Sequence, residues 1–281
     1  MKIGIVFDSS CGFTKKEVEA KGAFFAPLII TINNQDFEDG INITGEELEK
    51  HLVEGAKVQT AAAPLGALNE AFTAALKEHD HVVYISLSKH LSSSNANALM
   101  VSKEPEFQGK VTVYDSEMIT PWLFLNVEAI LNKAKEGNLD ALVTLLNKIQ
   151  RDVIGMVSPE TLLYLKNGGR ISNAEYIAGS LLKVKPIVIA YKGAISEEKH
   201  GLKLSKAKGK GIDKLINKMF DVFEDNQNVL EHGAAYEPFI ISKGEFEREF
   251  FKEASEKFEK MGYSVDSIRS TSFLGSFITS V

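Results

Sequence analysis

The sequence predicts an α/β protein with an N-terminal lobe in which helices cover a parallel sheet, a C-terminal α+β lobe, and a ligand between them. In residues 1–152, short β-branched runs alternate with amphipathic runs, which favours a parallel sheet. In residues 153–281, strand-like and helix-like stretches come in blocks instead. No repeat or low-complexity linker separates the two parts, so we expect them to pack closely around a ligand cleft.

The first elements of the N-terminal lobe are two strands and a helix. The apolar run KIGIVF at 2–7 predicts the first strand, and FFAPLIITI at 24–32 predicts the second. Pro27 inside the second run indicates a sheet edge or a bulge, because proline cannot donate a ladder hydrogen bond. Thr44 and Glu47 have the spacing of a capping box, so a helix is expected to begin there.

The rest of the chain continues these two patterns. A further helix is predicted to carry four apolar side chains on one face, namely Leu65, Leu68, Phe72 and Leu76. The remaining N-terminal predictions are strands at 81–88 and 110–116, a serine-opened helix between them, and helices at about 118–136 and 139–151. The C-terminal strand candidates are 152–158, 185–195, 233–241 and 263–280, with amphipathic stretches at about 210–225 and 244–261.

Composition restricts the class of protein. The formal net charge is −6 with both signs mixed along the chain, which argues against a general nucleic-acid binder. The single cysteine, Cys11, cannot form an internal disulfide, so we predict a cytoplasmic location. No stretch reaches the roughly 18 apolar residues that span a bilayer, and no signal peptide is evident at the N-terminus, so no integral membrane segment is predicted.

The familiar catalytic and cofactor motifs are absent from the sequence. It contains no CxxC or HExxH pattern for zinc, no GxxxxGK[ST] loop, no GxGxxG fingerprint and no GxSxG elbow. The six histidines have no obvious triad partner. We therefore predict no catalytic residue, no metal site and no cofactor.

Three hydroxyl-containing turns stand directly after a strand or before a helix. The first contains Ser9, the second contains Thr60, and the third is the run Ser92, Ser93 and Ser94. Ligands of α/β sheets bind at the carboxyl ends of the strands, and helix N-termini attract anions. The grouping therefore favours a site for a small anionic group, although each hydroxyl taken singly is more typical of a helix cap than of a ligand site.

Two other features bear on a ligand. The segments TAAAP and SNANALM, around Thr60 and Ser92, consist largely of small residues, which would leave room for a long thin ligand or would simply allow close helix–sheet packing. Arg170 follows the glycine pair at 168–169 on a corner ahead of a predicted helix. Its guanidinium suits a carboxylate or phosphate, or an ion pair that fastens the corner.

The sequence resembles the DegV family of bacterial fatty-acid-binding proteins over nearly its whole length. The similar segments are IVFDSS, FEDGINITGEEL, TAAAPLG, ISLSKHLSSSNANA, VYDSE and LYLKNGGRIS followed by GSLLKVKPIV. The resemblance implies a carrier without catalytic activity that encloses a C14–C18 fatty acid in an apolar tunnel between its lobes. It implies that Thr60 and Ser92 hold the carboxylate and that Arg170 faces a fatty-acid kinase. Ser9, Ser93 and Ser94 are candidates for an additional head-group site.

The sequence departs from the family pattern near the implied site. Ala61, Ala62 and Ala63 replace the usual Ser-Gln-Pro, and 93–95 replaces Gly-Thr-Tyr. The histidine of the family's C-terminal tail is missing, and no residue is assigned to the family's second arginine. These changes leave lipid binding as the main expectation. The alternatives are an enzyme acting on a small anionic metabolite and a lipid-binding homologue without a kinase partner.

Overall fold

A computed structural model describes much of the chain and nearly all of its N-terminal part. The described residues are 1–117, 121–151, 154–157, 162–169, 172–173, 184–191, 203–208, 214, 216–221, 239–241, 247–262 and 269–271. They form a mixed α/β structure in which helices cover a parallel sheet, as the alternation of runs predicts.

The central sheet contains four parallel strands in the order β2–β1–β6–β7. Its strands are β1 (Ile3–Asp8), β2 (Phe24–Ala26), β6 (His81–Ser86) and β7 (Val111–Asp115). Every residue of β1 is buried, which explains why its sequence is a continuous apolar run rather than an alternating one. Parallel pairing brings the carboxyl ends of these strands to one edge of the sheet.

Six α-helices lie within the described residues of the N-terminal part. They are α1 (Lys15–Ala20), α2 (Gly45–Val53), α3 (Leu65–Leu76), α4 (Ser94–Val101), α5 (Pro121–Lys135) and α6 (Leu139–Arg151). On one face of the sheet, Ile130 and Leu146 pack against Phe7 and Ile85. On the other face, Phe72 lies edge-on to Tyr84, with ring centroids 5.8 Å apart. Helices therefore bury both faces of the sheet.

Two details of these helices test the sequence predictions. The predicted capping box is confirmed, because Thr44 Oγ1 accepts from the backbone N–H of Glu47 and the Glu47 carboxylate accepts from the backbone N–H of Thr44. The predicted apolar face of α3 is wrong at its first member. Leu65 is 44% exposed, whereas Leu68 and Phe72 are buried. Leu65 is the first residue of α3 and follows the N-cap residue Pro64 directly.

The predicted strand at 24–32 is two strands that belong to different sheets. β2 ends at Ala26, and β3 (Ile29–Ile32) pairs antiparallel with β4 (Gln35–Glu38) and β5 (Val58–Ala61). Pro27 cannot continue the ladder of β2, and the N–H of Leu28 donates instead to the Ser9 hydroxyl at 3.2 Å. Pro27 thus marks the point where the chain passes from the parallel sheet to the antiparallel sheet.

Among the described residues after Arg151, five strands are interspersed with helices rather than grouped in blocks. The strands β8 (Ile154–Val157), β9 (Val184–Tyr191) and β10 (Lys203–Lys208) form an antiparallel sheet, and β11 (Phe239–Ile241) pairs parallel with β12 (Arg269–Thr271). The helices are α7 (Leu163–Asn167), a segment at 216–221 and α8 (Glu247–Lys260). The division into lobes at 152/153 stays a prediction. No helix within the described ranges is long and apolar enough to cross a membrane.

Candidate functional site

The polar residues at the carboxyl edge of the parallel sheet form the centre of the candidate site. Asp8, Ser86 and Asp115 end the adjacent strands β1, β6 and β7. Asp8 and Ser86 are fully buried, and the amide of Asn95 on α4 donates to the Ser86 hydroxyl at 3.0 Å. The edge is therefore polar but closed to solvent at its middle.

Asp8 is the acceptor for four donors. The backbone N–H of Ser10 donates to Oδ1 at 3.0 Å, and the Ser10 hydroxyl donates to the same oxygen. Oδ2 accepts from the N–H of Leu87 at 3.1 Å and from the Tyr84 hydroxyl at 3.3 Å. The carboxylate thus links the turn after β1 to the end of β6.

Burial controls the protonation of Asp8 more strongly than these donors do. Desolvation raises the pKa of Asp8 to about 6, against an ordinary value of 3.8, although the hydrogen bonds from Ser10, Leu87 and Tyr84 oppose the rise. Burial and the neighbouring Asp8 charge also raise the pKa of the Tyr84 hydroxyl. Asp8 therefore changes its charge close to neutral pH, while Tyr84 stays protonated.

The hydroxyls of the third predicted turn join two elements of the site. Ser94 Oγ accepts from the backbone N–H of Ala63 at 3.0 Å, and the amide of Asn97 donates to the carbonyl of Ala63 at 2.9 Å. Ser92 and Ser94 share a hydrogen bond between their hydroxyls at 2.9 Å. The first turn of α4 therefore holds the segment that follows Thr60 against the loop that carries Ser92.

Ser94 also faces the buried end of β6. The Ser94 hydroxyl opposes the rise in the pKa of the Tyr84 hydroxyl. Ser94 is fully buried, whereas Ser92 is partly exposed. Two hydrogen-bonded pairs therefore lie in this region, Tyr84 with Asp8 and Ser92 with Ser94.

Thr60 lies on β5, opposite Ile30 of the neighbouring strand. It is partly exposed and stands three residues before Ala63, the residue that Ser94 and Asn97 hold. Helix α7, which precedes the glycine pair of NGGRIS, packs against β5. The segments of Thr60, Ser92 and the glycine pair are therefore neighbours in this part of the fold.

An ion-pair cluster anchors the β6–α4 loop from its other side. Asp115 Oδ1 accepts from the backbone N–H of Lys89 at 3.1 Å, and Lys89 Nζ lies 3.2 Å from both Asp115 Oδ2 and Glu117 Oε1. Glu117 has a positive φ of 52°, a strained conformation for a residue other than glycine. The loop that carries Ser92 is thus tied to β7 and to α4.

The predicted site residues divide into four groups. Thr60, Ser92 and Ser94 belong to neighbouring segments, as described above. Ser9 is buried in the turn after β1, where its hydroxyl accepts from Leu28. Ser93 is exposed at the start of α4 and makes no capping hydrogen bond. Arg170 lies outside the described residues. Among the described residues, no group of three or more His, Cys, Asp or Glu could hold a metal ion.

Sequence reasoning missed the two residues that connect the site internally. Tyr84 lies in the apolar run HVVYISLS, where a tyrosine is indistinguishable from another large core residue. Asp8 stands directly after the predicted first strand and beside Ser9, but it is not among the predicted site residues. The available signal was the occurrence of a carboxylate inside a fully buried strand, since such a group requires hydrogen-bond donors around it.

The fold and the site define an α/β protein with a hydroxyl-lined edge on a parallel sheet. Residues 2–280 match the family model described as "Uncharacterised protein, DegV family", and the chain therefore belongs to the DegV family. A DegV domain-containing protein of Staphylococcus aureus (strain COL) is 30% identical over 184 residues, which cover 65% of this chain and 65% of that protein. The match thus spans somewhat less than two thirds of the relative's own length.

Solved structures of two other DegV-type proteins share the fold. One, a DegV family protein from Thermus thermophilus with fatty-acid binding, has a TM-score of 0.77 and 24% identity, covering 100% of this chain and 95% of that chain. The other, the Fatty Acid Kinase (Fak) B3 protein of Streptococcus pneumoniae loaded with linoleic acid, has a TM-score of 0.75 and 16% identity, covering 100% of this chain and 95% of that chain. At these identities the likeness establishes the common fold.

Proposed function

We propose that the protein is a non-catalytic carrier that binds a long-chain fatty acid and presents it to a fatty-acid kinase. In this proposal, Thr60 and Ser92 hold the carboxylate and the acyl chain occupies an apolar tunnel between the two lobes. The observation that carries the proposal is the junction at Ala63, which joins the Thr60 segment to the Ser92 loop through Ser94 and Asn97. The fatty acids named for two proteins of the same fold support the class of ligand.

The acyl chain should supply most of the binding free energy. A C16 chain has about 14 methylenes, and each transfers from water with about 0.8 kcal/mol, which gives a gross gain on the order of 11 kcal/mol. Hydrogen bonds from two neutral hydroxyls to a carboxylate add about 1.5–3 kcal/mol each. The tunnel therefore sets the affinity, while Thr60 and Ser92 set the orientation of the ligand.

Fluorescence titration with a C16 fatty acid tests this division. The double variant Thr60→Ala/Ser92→Ala should weaken binding by about two to four orders of magnitude, whereas Ala62→Trp should abolish it by filling the tunnel. Ala61→Trp is the matched control, because Ala61 is exposed and points to the opposite side of β5 from Thr60. Full loss in the double variant together with full binding in Ala62→Trp would contradict the proposal.

A separate experiment tests whether the protein presents its fatty acid to a kinase. Arg170→Ala should lower acyl-phosphate formation by the matching kinase without changing fatty-acid affinity, because the guanidinium is proposed to face the partner. A parallel loss of affinity would assign Arg170 to the fold or to the ligand site instead. Complete absence of turnover with wild-type protein that binds lipid would favour a homologue without a kinase partner.

The competing function is an enzyme that acts on a small anionic metabolite. Mass spectrometry of protein purified from cells distinguishes the two, since co-purified C14–C18 fatty acid supports the carrier. A bound polar metabolite, with lipid absent from repeated preparations, supports the enzyme.

A further inference from the structure

Ser94 has a fully buried hydroxyl that contacts both segments of the proposed carboxylate site. It is the first residue of α4, and its Oγ accepts from the backbone N–H of Ala63 at 3.0 Å. The same Oγ lies 2.9 Å from the Oγ of Ser92, a residue that is partly exposed. One buried oxygen atom therefore connects the segment that follows Thr60 to the Ser92 hydroxyl.

The hydrogen bond between Ser92 and Ser94 can be made by either proton, and the two choices are not equivalent. Each hydroxyl has one proton and two lone pairs. Ser94 uses one lone pair on the Ala63 N–H, and Ser92 uses one on the Ser94 N–H at 3.2 Å. If Ser92 donates to Ser94, its proton is used inside the protein, and Ser92 offers only a lone pair to a ligand.

The other choice makes Ser92 a donor to a ligand. When Ser94 donates to the Ser92 oxygen, both lone pairs of Ser92 are occupied by groups of Ser94, namely its backbone N–H and its hydroxyl. The Ser92 proton is then left for the ligand. An ionised carboxylate can only accept hydrogen bonds, so it favours this arrangement, and consecutive hydrogen bonds polarise and strengthen one another.

We propose, on the basis of the function proposed above, that Ser94 is a positioning residue for the fatty-acid carboxylate. Its hydroxyl donates to Ser92, and Ser92 in turn donates to the ligand, so Ser94 acts without contacting the ligand itself. The site thereby prefers a charged head group that only accepts hydrogen bonds. A neutral alcohol gains less from the same arrangement, because its oxygen accepts a weaker hydrogen bond.

Asn97 distinguishes this role from mechanical support of the Thr60 segment. Ser94 bonds the N–H of Ala63, and the amide of Asn97, on the same helix, bonds the carbonyl of Ala63 at 2.9 Å. Both side chains therefore hold Ala63 against α4. The hydrogen bond to the Ser92 hydroxyl is made by Ser94. A loss of support should affect variants of either residue, whereas a loss of the interaction with Ser92 should be specific to Ser94.

A double-mutant cycle measured by isothermal titration calorimetry tests the inference. Laurate, used below the concentration at which it forms micelles, is titrated into the wild type, Ser94→Ala, Ser92→Ala and Ser92→Ala/Ser94→Ala. Ser94→Ala should lower laurate affinity about fivefold more in the wild-type background than in the Ser92→Ala background, because its hydroxyl acts on the ligand through Ser92. With 1-dodecanol as the ligand, this difference between the backgrounds should shrink to less than about twofold.

Two further variants make the result specific. Asn97→Ala should lower laurate affinity by the same factor in both backgrounds, within about twofold, because it loosens Ala63 and leaves the donor to Ser92 in place. Ser94→Cys replaces the hydroxyl by a weak donor of similar size, and its effect should depend on the background as that of Ser94→Ala does. Ser94→Cys thus covers the case in which Ser94→Ala does not fold.

The possible failures of this experiment have different meanings. Equal losses of laurate affinity in the two backgrounds, for Ser94→Ala or for Ser94→Cys, would overturn the inference and leave Ser94 as a support of Ala63. Absence of laurate binding by the wild type, or wild-type affinity in Ser92→Ala, would instead overturn the proposed function on which the inference rests.

Discussion

The turns after β1 and β6 both contain serines at the same edge of one parallel sheet, yet their hydroxyls are used differently. Ser9 and Ser10 are buried, and their hydroxyls bond the Leu28 N–H and the Asp8 carboxylate. Ser94 is buried as well, but its partner Ser92 remains partly exposed. The β1 turn is therefore internal support, whereas the β6 turn leaves the hydroxyls of Ser92 and Ser93 accessible at the surface. Burial, rather than the residue type, separates the two roles.

The largest expected effect concerns Asp8, the residue that supports the β1 turn. The folded pKa of about 6 lies above the ordinary value of 3.8, so protonated Asp8 is favoured in the folded state. The free energy of unfolding should therefore fall as pH rises from about 4 to about 6, by on the order of 3 kcal/mol from this group.

Chemical denaturation across this pH range measures the contribution of Asp8 to the free energy of unfolding. Asp8→Asn should remove that part of the pH dependence, while the exposed Asp140→Asn control should keep it. The slope is the informative quantity, because an asparagine amide cannot accept from all the donors around Asp8 and will lower the absolute stability as well. If Asp8→Asn kept the wild-type dependence of the free energy of unfolding on pH, Asp8 would have its ordinary pKa in the folded protein.

A smaller effect is expected when the β1 turn loses its bond to the second sheet. Ser9→Ala leaves the buried Leu28 N–H without its hydroxyl acceptor and should lower the free energy of unfolding by about 1–3 kcal/mol. Fatty-acid affinity should stay within twofold of the wild type. Urea denaturation and lipid titration of the same preparation measure both quantities, and a large loss of affinity with intact stability would place Ser9 in the head-group site after all.

The opposite result is expected for the β6 turn. Ser92→Ala should lower fatty-acid affinity by roughly tenfold, corresponding to about 1.4 kcal/mol, because it removes a hydrogen bond to a charged group. Its free energy of unfolding should change by less than about 1 kcal/mol, since the side chain is partly exposed. Fluorescence titration and urea denaturation measure the two quantities. A Ser92→Ala variant that lost stability and kept its fatty-acid affinity would contradict the comparison of the β1 and β6 turns.

The smallest effect is expected at Ser93, which lies beside Ser92 in sequence. Ser93 is exposed and makes no capping hydrogen bond, so Ser93→Ala should change neither stability by more than about 0.5 kcal/mol nor affinity by more than twofold. Urea denaturation measures the stability of this variant, and fluorescence titration measures its fatty-acid affinity. A tenfold loss of affinity in this variant would extend the head-group site to Ser93.

Local signals in the sequence predicted the fold well where neighbouring residues decide the structure. The capping box of Thr44 and Glu47 closes within one helical turn, and the β-branched runs identify buried strands directly. The break at Pro27 was underestimated, because the run FFAPLIITI is apolar on both sides of it. Which sheet each half joins depends on partners that lie far away in the sequence.

The candidate site was predicted less completely for the same reason. Placement beside strands and helices grouped the turns of Thr60 and Ser92, and the family resemblance supplied only their role at a carboxylate. The contact that brings the two segments together runs through the backbone of Ala63. A contact made by a backbone N–H and carbonyl does not depend on a particular side chain, so the sequence does not indicate it. Tyr84 was missed because the acceptor of its hydroxyl, Asp8, lies on the neighbouring strand β1, far away in the sequence.

The connection between β2 and β3 restricts where residues can be inserted into or deleted from this protein. Residues 27–28 connect the two sheets, and the side chains of β3 alternate strictly, with Ile30 and Ile32 buried and Thr31 directed the other way. One inserted residue at this junction would turn the isoleucines outwards and shift Thr60 against its partner strand. The next hairpin turns at Asn33 and Asn34, which have left-handed φ values of 50° and 68° and are both exposed. Insertions and deletions among homologues should accumulate at that tip and avoid the proline junction.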